Sequence, residues 1–431
     1  MTPASTFGLR AIRLAGGVAL GALSAVAALP SAYLTVLTAV GIRQPRPGAA
    51  RREVTTHFAI VVPAHDEAAG IGATLESFHE LAYPPDRFSV HVVADNCTDS
   101  TAEVVRSHGW NAHERMAPDD PGKGPALNWL HDRLNAAGEP FDAIVVVDAD
   151  TSVDRNFLAA MDAAVAAGAA VAQGHYTVRE PEATPTTSFR YAALACRHHL
   201  RPLARCRLGA SAGLYGNGMV FRRDVLAGRR WSGHLVEDAE FQVELLLDGH
   251  AVSYVPHAVL RAEMPHDLGQ AETQNQRWER GRIDIARRFV PALVRRAIAD
   301  RANRVALADA AADQTIPPLS VQAAIDVLAI SVASVAAVFG GRTARRLLVL
   351  DVLALAALVV HALAGLYAVR APARMYRSLL SAPRMLIWKT RLWLSVAAPD
   401  GDVAWTRTQR NIEHAEQVEH VDDVEHVGHA T

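Results

Sequence analysis

Asp148 and Asp150 stand one residue apart, directly after the apolar run Ile144-Val-Val-Val147. An Asp-x-Asp pair at the end of a buried strand offers hard carboxylate oxygens to a divalent cation, Mg2+ or Mn2+. Two other loops place polar groups after short apolar runs, Pro63-Ala-His-Asp-Glu67 and Asp95-Asn-Cys-Thr-Asp99. Carboxylates gathered at one sheet edge are costly unless cations or hydrogen-bond donors neutralise them. Helix capping is the plainer alternative, because Asp66, Thr98 and Asp99 each precede a helical pattern. Capping accounts for one acid per loop. It does not account for Asp148 and Asp150 together.

The elements that position these groups alternate along the chain. Phe58-Ala-Ile-Val-Val-Pro63 is a β-branched run ending in a turn, which predicts a buried strand. Helical spacing of Ile71, Leu75, Phe78 and Leu81 follows over 68–82. The pattern continues as a strand over 90–94, a helix over 100–108, a short strand near Asn111, a helix over 125–137 and a strand over 143–147. This β-α order implies an α/β fold with a parallel sheet covered on both faces. Ligands in such folds bind beyond the carboxyl ends of the strands, where the acids lie. No Gly-x-Gly-x-x-Gly follows the first strand, which argues against a dinucleotide oxidoreductase. Gly122-Lys-Gly124 lacks the Ser or Thr of a Walker loop, which argues against a P-loop ATPase.

Composition narrows the class. The chain has 431 residues, of which 50% are hydrophobic and 20% charged, so it can bury a large core and is not disordered as a whole. Its cysteines, Cys97, Cys196 and Cys206, are too few and odd in number for a disulfide scaffold. Lys and Arg number 43 against 45 Asp and Glu, so no global basic field argues for nucleic acid. A mean hydropathy of +0.08 is high for a soluble enzyme and suggests that part of the chain meets lipid.

Residues 14–41 carry no charge and exceed the roughly 20 residues needed to cross a bilayer. Arg10 and Arg13 precede the run; Arg43, Arg46, Arg51 and Arg52 follow it. A cleaved signal peptide is the alternative, but the run is longer than a signal core and the basic cluster comes after it. An uncleaved anchor with its C-terminal flank in the cytoplasm fits better. Two later runs, 319–339 and 347–369, are each long enough to span. They contain Asp326, Asp351 and His361, which either face other helices or lie near the ends and reach the headgroups. The connector 340–346 reads as a hairpin turn, leaving Arg342, Arg345 and Arg346 outside. Residues 278–301 form a basic amphipathic pattern that suits either the membrane face or a helix packed on the domain. Residues 377–396 look similar. The tail from Asn411 repeats Glu-His pairs, where metal capture competes with an ordinary disordered acidic tail.

In order, Pro63-Ala-His-Asp-Glu67, Asp95-x-x-x-Asp99, Gly122-Lys-Gly-x-Ala-Leu-Asn128, Asp148-x-Asp150, Gly216-x-Gly-Met219, Glu237-Asp238 and Gln274-x-x-Arg277-Trp278 resemble the family-2 glycosyltransferases. More narrowly, they are similar to the membrane-embedded branch of cellulose, chitin, hyaluronan and poly-N-acetylglucosamine synthases. The resemblance covers about residues 55–280. Each motif is short; their shared order carries the likeness. The stretches Pro383-x-x-x-x-Trp388-Lys389 and Trp405-x-Arg-Thr-x-Arg410 resemble that branch too.

The resemblance implies a GT-A-type Rossmann-like mixed-sheet catalytic domain between N-terminal and C-terminal transmembrane helices. It implies transfer of a sugar from a nucleotide-sugar, a UDP-hexose or UDP-N-acetylhexosamine, with inversion, in cell-envelope or exopolysaccharide synthesis. The acceptor would be a saccharide or lipid-linked. Asp150 and Asp148 would hold Mg2+ or Mn2+ against the donor pyrophosphate. Lys123, Gln274 and Arg277 would add charge and hydrogen bonds there, and Glu67 and Asp95 would hold the nucleoside end. Asp238 would be the general base, with Glu237 beside it. Trp278 would offer a ring face to the acceptor sugar, and Gly216 and Gly218 would let the backbone approach the sugars. The plainer readings are a first helical turn for Glu237-Asp238, a membrane-interface pair for Arg277 and Trp278, and a solvated loop lysine for Lys123. Cys97 lies in a binding loop with nothing to activate it, so a packing role is expected.

This sequence departs from the family pattern at Ala94, where a first adjacent acid is common, and at His65, where Asn or Tyr is common. The implied organisation is an anchor at 1–50, a catalytic domain at 51–280, amphipathic interfacial helices at 281–318, a transmembrane hairpin at 319–372, an interfacial segment at 373–410 and a disordered acidic tail at 411–431. The protein would sit in the cell membrane, multi-pass, with its catalytic domain cytoplasmic. Three spans make a poor channel. That favours single-sugar transfer to a lipid, or a polymerase needing an oligomer or accessory membrane protein. A nucleotide-sugar-binding membrane protein without turnover is the remaining alternative.

Overall fold

The computed structural model describes residues 3–43 and 53–397, apart from 235, 267 and 340. Its helices are α1 (Pro3–Gly41), α2 (Gly72–His79), α3 (Thr101–Ser107), α4 (Lys123–Ala136), α5 (Phe157–Ala166), α6 (Pro185–Leu194), α7 (Arg201–Arg207), α8 (Arg223–Leu226), α9 (Glu237–Leu247), α10 (Leu268–Ala299), α11 (Arg304–Thr315), α12 (Leu319–Phe339), α13 (Arg342–Ala368), α14 (Ala373–Ser378) and α15 (Ala382–Ala397). A π-helix, Ala195–Leu200, joins α6 to α7. The strands are β1 (Phe58–Ala64), β2 (Phe88–Asp95), β3 (Asn111–Arg115), β4 (Ala143–Val146), β5 (Thr151–Val153), β6 (Val171–Val178), β7 (Met219–Arg222) and β8 (Val252–Ala262).

The strands form one sheet in the order β3-β2-β1-β4-β7-β6-β8-β5. The first four run parallel. The sheet is not parallel throughout, as the β-α alternation alone suggests. β7 enters antiparallel between β4 and β6, and β5 closes the far edge antiparallel to β8. A mixed sheet results.

Alternation along β1 explains the two cores. Phe58, Ile60 and Val62 point to one face, where Leu75 and Phe78 of α2 and Phe157 and Met161 of α5 cover them. Ala59 and Val61 point to the other, under Leu127 and Leu130 of α4 and Phe241 and Leu245 of α9. Each fully buried large side chain stabilises by roughly 1.5–3 kcal/mol, so both faces are fixed and β1 cannot slip register.

Among the described residues, three helices are long and apolar enough to cross a membrane: Leu14–Gly41, Leu319–Phe339 and Arg342–Ala368. They pack together. Leu34 of α1 meets Ala323 and Leu358 at one end, and Leu20 meets Ala333 and Ala344 at the other. Small residues let the backbones approach. Asp326 and Asp351 are fully buried and face the other helices. Gln322 Nε2 donates to Asp326 Oδ1 at 2.8 Å, and Ser24 Oγ donates to Asp351 Oδ2 at 3.0 Å. His361 Nδ1 lies 2.7 Å from Thr38 Oγ1.

The amphipathic pattern after Trp278 belongs to a longer helix, α10, which begins before it and crosses the boundary expected at 280. Ile285 and Leu293 of α10 pack with Val243 and Leu246 of α9 and with Leu307 of α11. Arg201 and Arg205 of α7 pair with Asp313 of α11, and Arg205 also with Asp309 at 2.6 Å. Tyr33 Oη of α1 donates to Asp309 at 3.0 Å, so α1, α7 and α11 share one polar joint. Residues 398–431, with the Trp405 motif and the Glu-His tail, and Arg46, Arg51 and Arg52 lie outside the described residues.

Candidate active site

The apolar run of β4 ends at the carboxyl edge of the sheet, and Asp148 follows immediately. Lys123, the first residue of α4, pairs with the Asp148 carboxylate. The same ammonium donates to the Gly216 carbonyl at 2.5 Å. Gly216 has φ +75°, and a Cβ there would stand 3.4 Å from Asp238 Oδ2 and 3.5 Å from Lys123 Nζ. Asp148, Lys123, Gly216 and Asp238 therefore meet at one place, although Lys123 and Asp238 are 115 positions apart in the chain.

Asn217, fully buried, ties Asp150 to this group. Its Oδ1 accepts from the Asp148 amide at 3.2 Å, and its Nδ2 donates to Thr151 Oγ1 at 2.7 Å. Thr151 Oγ1 in turn donates to Asp150 Oδ1 at 3.0 Å. Gln173 of β6 holds the loop from beneath: its Nε2 donates to the Asn217 carbonyl at 2.7 Å, and its Oε1 accepts from the Tyr215 amide at 3.1 Å. The antiparallel entry of β7 makes this possible, because it returns Gly216 and Asn217 to the end of β4. Sequence reasoning missed Asn217 and Gln173. Their signal was a polar side chain inside a buried motif or strand, where an unpaired amide would be costly.

Asn128 closes the Gly122–Asn128 motif structurally. Its side chain accepts from the Trp231 amide at 3.0 Å and donates to the Trp231 carbonyl at 2.8 Å, fixing the segment that leads into α9. Glu237 and Asp238 are the first two residues of α9, so the helix-start reading and the site reading both describe them. Burial works against the Lys123 charge, but Asp148, Glu237 and Asp238 outweigh it and hold the ammonium above its ordinary range. Lys123 is thus an ion-paired residue and not a solvated loop lysine. Burial, then the neighbouring Asp238 charge, pushes the Glu237 carboxyl up to about 7. Burial raises Asp238 as well, against the pull of Lys123.

The nucleoside candidates lie on the adjoining loops. Glu67 is buried after β1, its amide donating to Thr101 Oγ1 at 2.8 Å. Asp95 ends β2 and accepts from Arg115 at 2.6 Å; Arg115 also holds Asp120 at 2.6 Å. Asp95 therefore has a buried cation of its own, which sequence reasoning did not foresee. His65 Nδ1 lies 2.7 Å from the Asp95 carbonyl.

Asp66, Cys97 and Asp99 bring one ligand atom each within 4.8 Å of one another. Their oxygens already serve the loops. Asp66 Oδ1 accepts from the Thr98 and Asp99 amides at 2.7 and 3.2 Å, and Asp99 accepts from the Ala68 and Thr101 amides at 2.9 and 3.0 Å. The expected helix capping is not what they do: the N-cap positions of α2 and α3, Ile71 and Ser100, carry no side-chain cap, and the two acids instead tie the two loops to each other, Asp99 also holding the first amide of α3. Cys97 Sγ accepts from the Asp66 amide at 3.3 Å, and burial raises its thiol, in keeping with packing.

Trp278 lies on α10 with the Arg190 guanidinium 5.2 Å from its ring centroid, so one ring face is occupied. Gln274 and Arg277 are on the same helix; their side chains lie outside the described residues. At Gly218 packing by itself requires the glycine: a Cβ there would fall 2.5 Å from Leu260 Cδ2 of β8. Only Gly216 of the two opens onto the charged group.

Residues 56–281 match the family model described as glycosyltransferase like family 2. A curated relative in Bacillus subtilis (strain 168), "Probable glycosyltransferase YdaM", is 26% identical over 243 residues, 54% of this chain and 56% of that protein. The "Beta-monoglucosyldiacylglycerol synthase" of Synechocystis sp. is 26% identical over 279 residues, 62% of this chain and 54% of that protein. The matched region thus spans about half the length of these curated relatives. Among solved structures, the mannosyltransferase PcManGT from Pyrobaculum calidifontis, in complex with GDP-Man and Mn2+, has TM-score 0.51 at 18% identity, covering 87% of this chain and 99% of that one. That likeness establishes a shared fold.

Proposed function

The chain belongs to the family-2 glycosyltransferases, and from that membership we propose that it transfers a sugar from a nucleotide-sugar to an acceptor presented at a membrane. The observation that carries this reading is the meeting of Asp148, Lys123 and Asp238 around Gly216. A nucleoside diphosphate leaves readily only when its negative charge is compensated. Lys123 supplies a fixed cation, and donor phosphates would compete with Asp148 for it.

Asp148 and Asp150 fit a divalent cation by the chemistry of their oxygens, and Asp148 is one-third exposed. When bound, Mg2+ or Mn2+ supplies Lewis-acid charge to the departing diphosphate. Asp238 accepts the proton of the acceptor hydroxyl as its oxygen attacks the anomeric carbon from the face opposite the nucleotide, which inverts that centre. Glu67 and Asp95 border the nucleoside end, and Asp95 does so as half of a pair with Arg115. In this reading Gln274 and Arg277 serve the donor phosphates, and Trp278 serves the acceptor sugar.

The three apolar helices would anchor the domain in a bilayer, with the active site on the cytoplasmic side. Their shared interior is filled: Ala27, Leu34, Ala329, Ala333, Asp326, Asp351 and His361 are fully buried. A filled bundle favours transfer of single sugars to a lipid-linked or envelope acceptor over export of a growing polysaccharide by one chain. The test incubates the membrane-reconstituted protein with UDP-glucose, UDP-N-acetylglucosamine, UDP-galactose and GDP-mannose and follows diphosphate release and labelled product. One donor giving a single lipid-soluble species is expected. A ladder of products would establish a processive synthase, and no release from any donor would remove the transferase reading.

A further inference from the structure

The π-helix Ala195–Leu200 stacks on Tyr215, the residue before Gly216, and also touches the apolar helices α1 and α13. Extra-wide helical turns of this kind are rare and concentrate at functional sites. His198 projects from it, nearly fully buried. Its ring stacks on Tyr215 with centroids 4.0 Å apart and planes at 20°, and on Tyr176 at 5.1 Å and 24°. One ring nitrogen bonds to the Tyr176 backbone, and Nδ1 has no partner. Burial keeps the imidazole uncharged by lowering its proton affinity well below the ordinary range.

Tyr215 precedes Gly216, whose carbonyl holds Lys123. On the opposite side the π-helix meets two glycines. A Cβ at Gly365 of α13 would fall 2.5 Å from Cys196 Sγ, and one at Gly41 of α1 would fall 2.6 Å from the Leu200 carbonyl. Backbone and side chain are in direct contact there, so the π-helix cannot shift independently of α1 and α13.

We propose that His198 is a positioning residue, its ring clamped between Tyr176 and Tyr215 so that the π-helix, seated on Gly41 and Gly365, fixes the loop that orients Lys123. The inference rests on the transferase reading of the site. It assigns His198 no contact with substrate. Another flat aromatic ring in the same stack should serve in part, without the bond to the Tyr176 backbone, whereas loss of the ring should free the loop. Misplacement of a catalytic group by about 1 Å can cost about 100-fold in rate.

The test compares H198A, H198F and G365A in the full reconstituted chain by two independent readouts. Hydrogen–deuterium exchange reports on residues 213–218, and steady-state kinetics report on transfer. H198A is expected to raise exchange at 213–218 and to lower kcat by about 10- to 100-fold with donor KM within about threefold. H198F is expected to restore both toward wild type, which a merely structural role for the imidazole nitrogens would not allow. G365A is expected to raise exchange in the same segment from the other side of the π-helix. Unchanged exchange in H198A, or undiminished kcat, overturns the inference. A wild-type protein that turns over no nucleotide-sugar overturns the reading of the site instead, and the exchange of H198A and H198F still decides whether the clamp exists.

Discussion

Asp238 and Lys123 both reach the missing side chain of Gly216, each about 3.5 Å from where its Cβ would be. The proposed base and the proposed phosphate-binding cation thereby border one backbone position. Gly216→Ala should add a methyl group between them and strain a left-handed backbone by roughly 1–2 kcal/mol. Its kcat/KM should fall far more than its thermal stability. Gly218→Ala should behave in the opposite sense, because its methyl group meets buried Leu260 and overpacking costs roughly 1–3 kcal/mol beyond the backbone strain. Melting temperature and kcat/KM measured for both variants separate the two roles; equal losses in both quantities would contradict the assignment.

Asp238→Asn should leave donor binding nearly intact and reduce transfer by at least about 100-fold, the usual worth of a general base. Calorimetric binding of the nucleotide with parallel turnover checks this, and a variant with normal turnover removes Asp238 from the chemistry.

The Glu237–Asp238 pair should impose a step in kcat/KM near pH 7, with activity rising as the pair loses its last proton. Glu237→Gln should abolish that step and leave only the lower one. Stability should follow the same linkage. The carboxyl of Glu237 ionises near its ordinary 4.5 when unfolded and at about 7 when folded, so its contribution is whole below 4.5 and is lost as pH rises through 7. Glu237→Gln should therefore melt higher than wild type at pH 8 and no higher at pH 4. A pH profile identical to wild type would be incompatible with the coupling.

Removing divalent ions with EDTA should stop transfer, and adding Mg2+ or Mn2+ should restore it. Asp150→Asn should raise the metal concentration needed for half-maximal rate. Asp148→Asn should do the same and also release Lys123 from its ion pair. Full activity in EDTA would take the metal role away from both acids.

Arg345 is exposed at the start of α13, at the end of the helix bundle remote from the π-helix. In the proposed three-span arrangement, with the catalytic domain cytoplasmic, that end of the bundle is extracytoplasmic. Arg345→Cys should react with a membrane-impermeant maleimide in intact cells, whereas a cysteine at exposed Glu103 on α3 should react only after lysis. The reverse pattern would invert the topology.

Local sequence determined the ends of the elements. Four apolar residues before Asp148 fix where β4 stops, because the run cannot leave the core without exposing them, and the acids that follow must lie at the sheet edge. The first two apolar runs likewise follow from the chain alone, whereas the third helix begins at Arg342, so residues 342–346 are helical and not the expected hairpin turn. Tertiary structure decided the partners. β7 is four residues long, too short for periodicity to reveal its direction, yet its antiparallel entry brings Asn217 and Gly216 to Asp148. Arg115 on Asp95, Arg190 over Trp278 and the inward turn of Asp351 toward Ser24 also join positions far apart in the chain. Periodicity reports which face of an element is buried. Which side chain waits on the other side depends on how the elements are stacked, and that is set by packing the whole core at once.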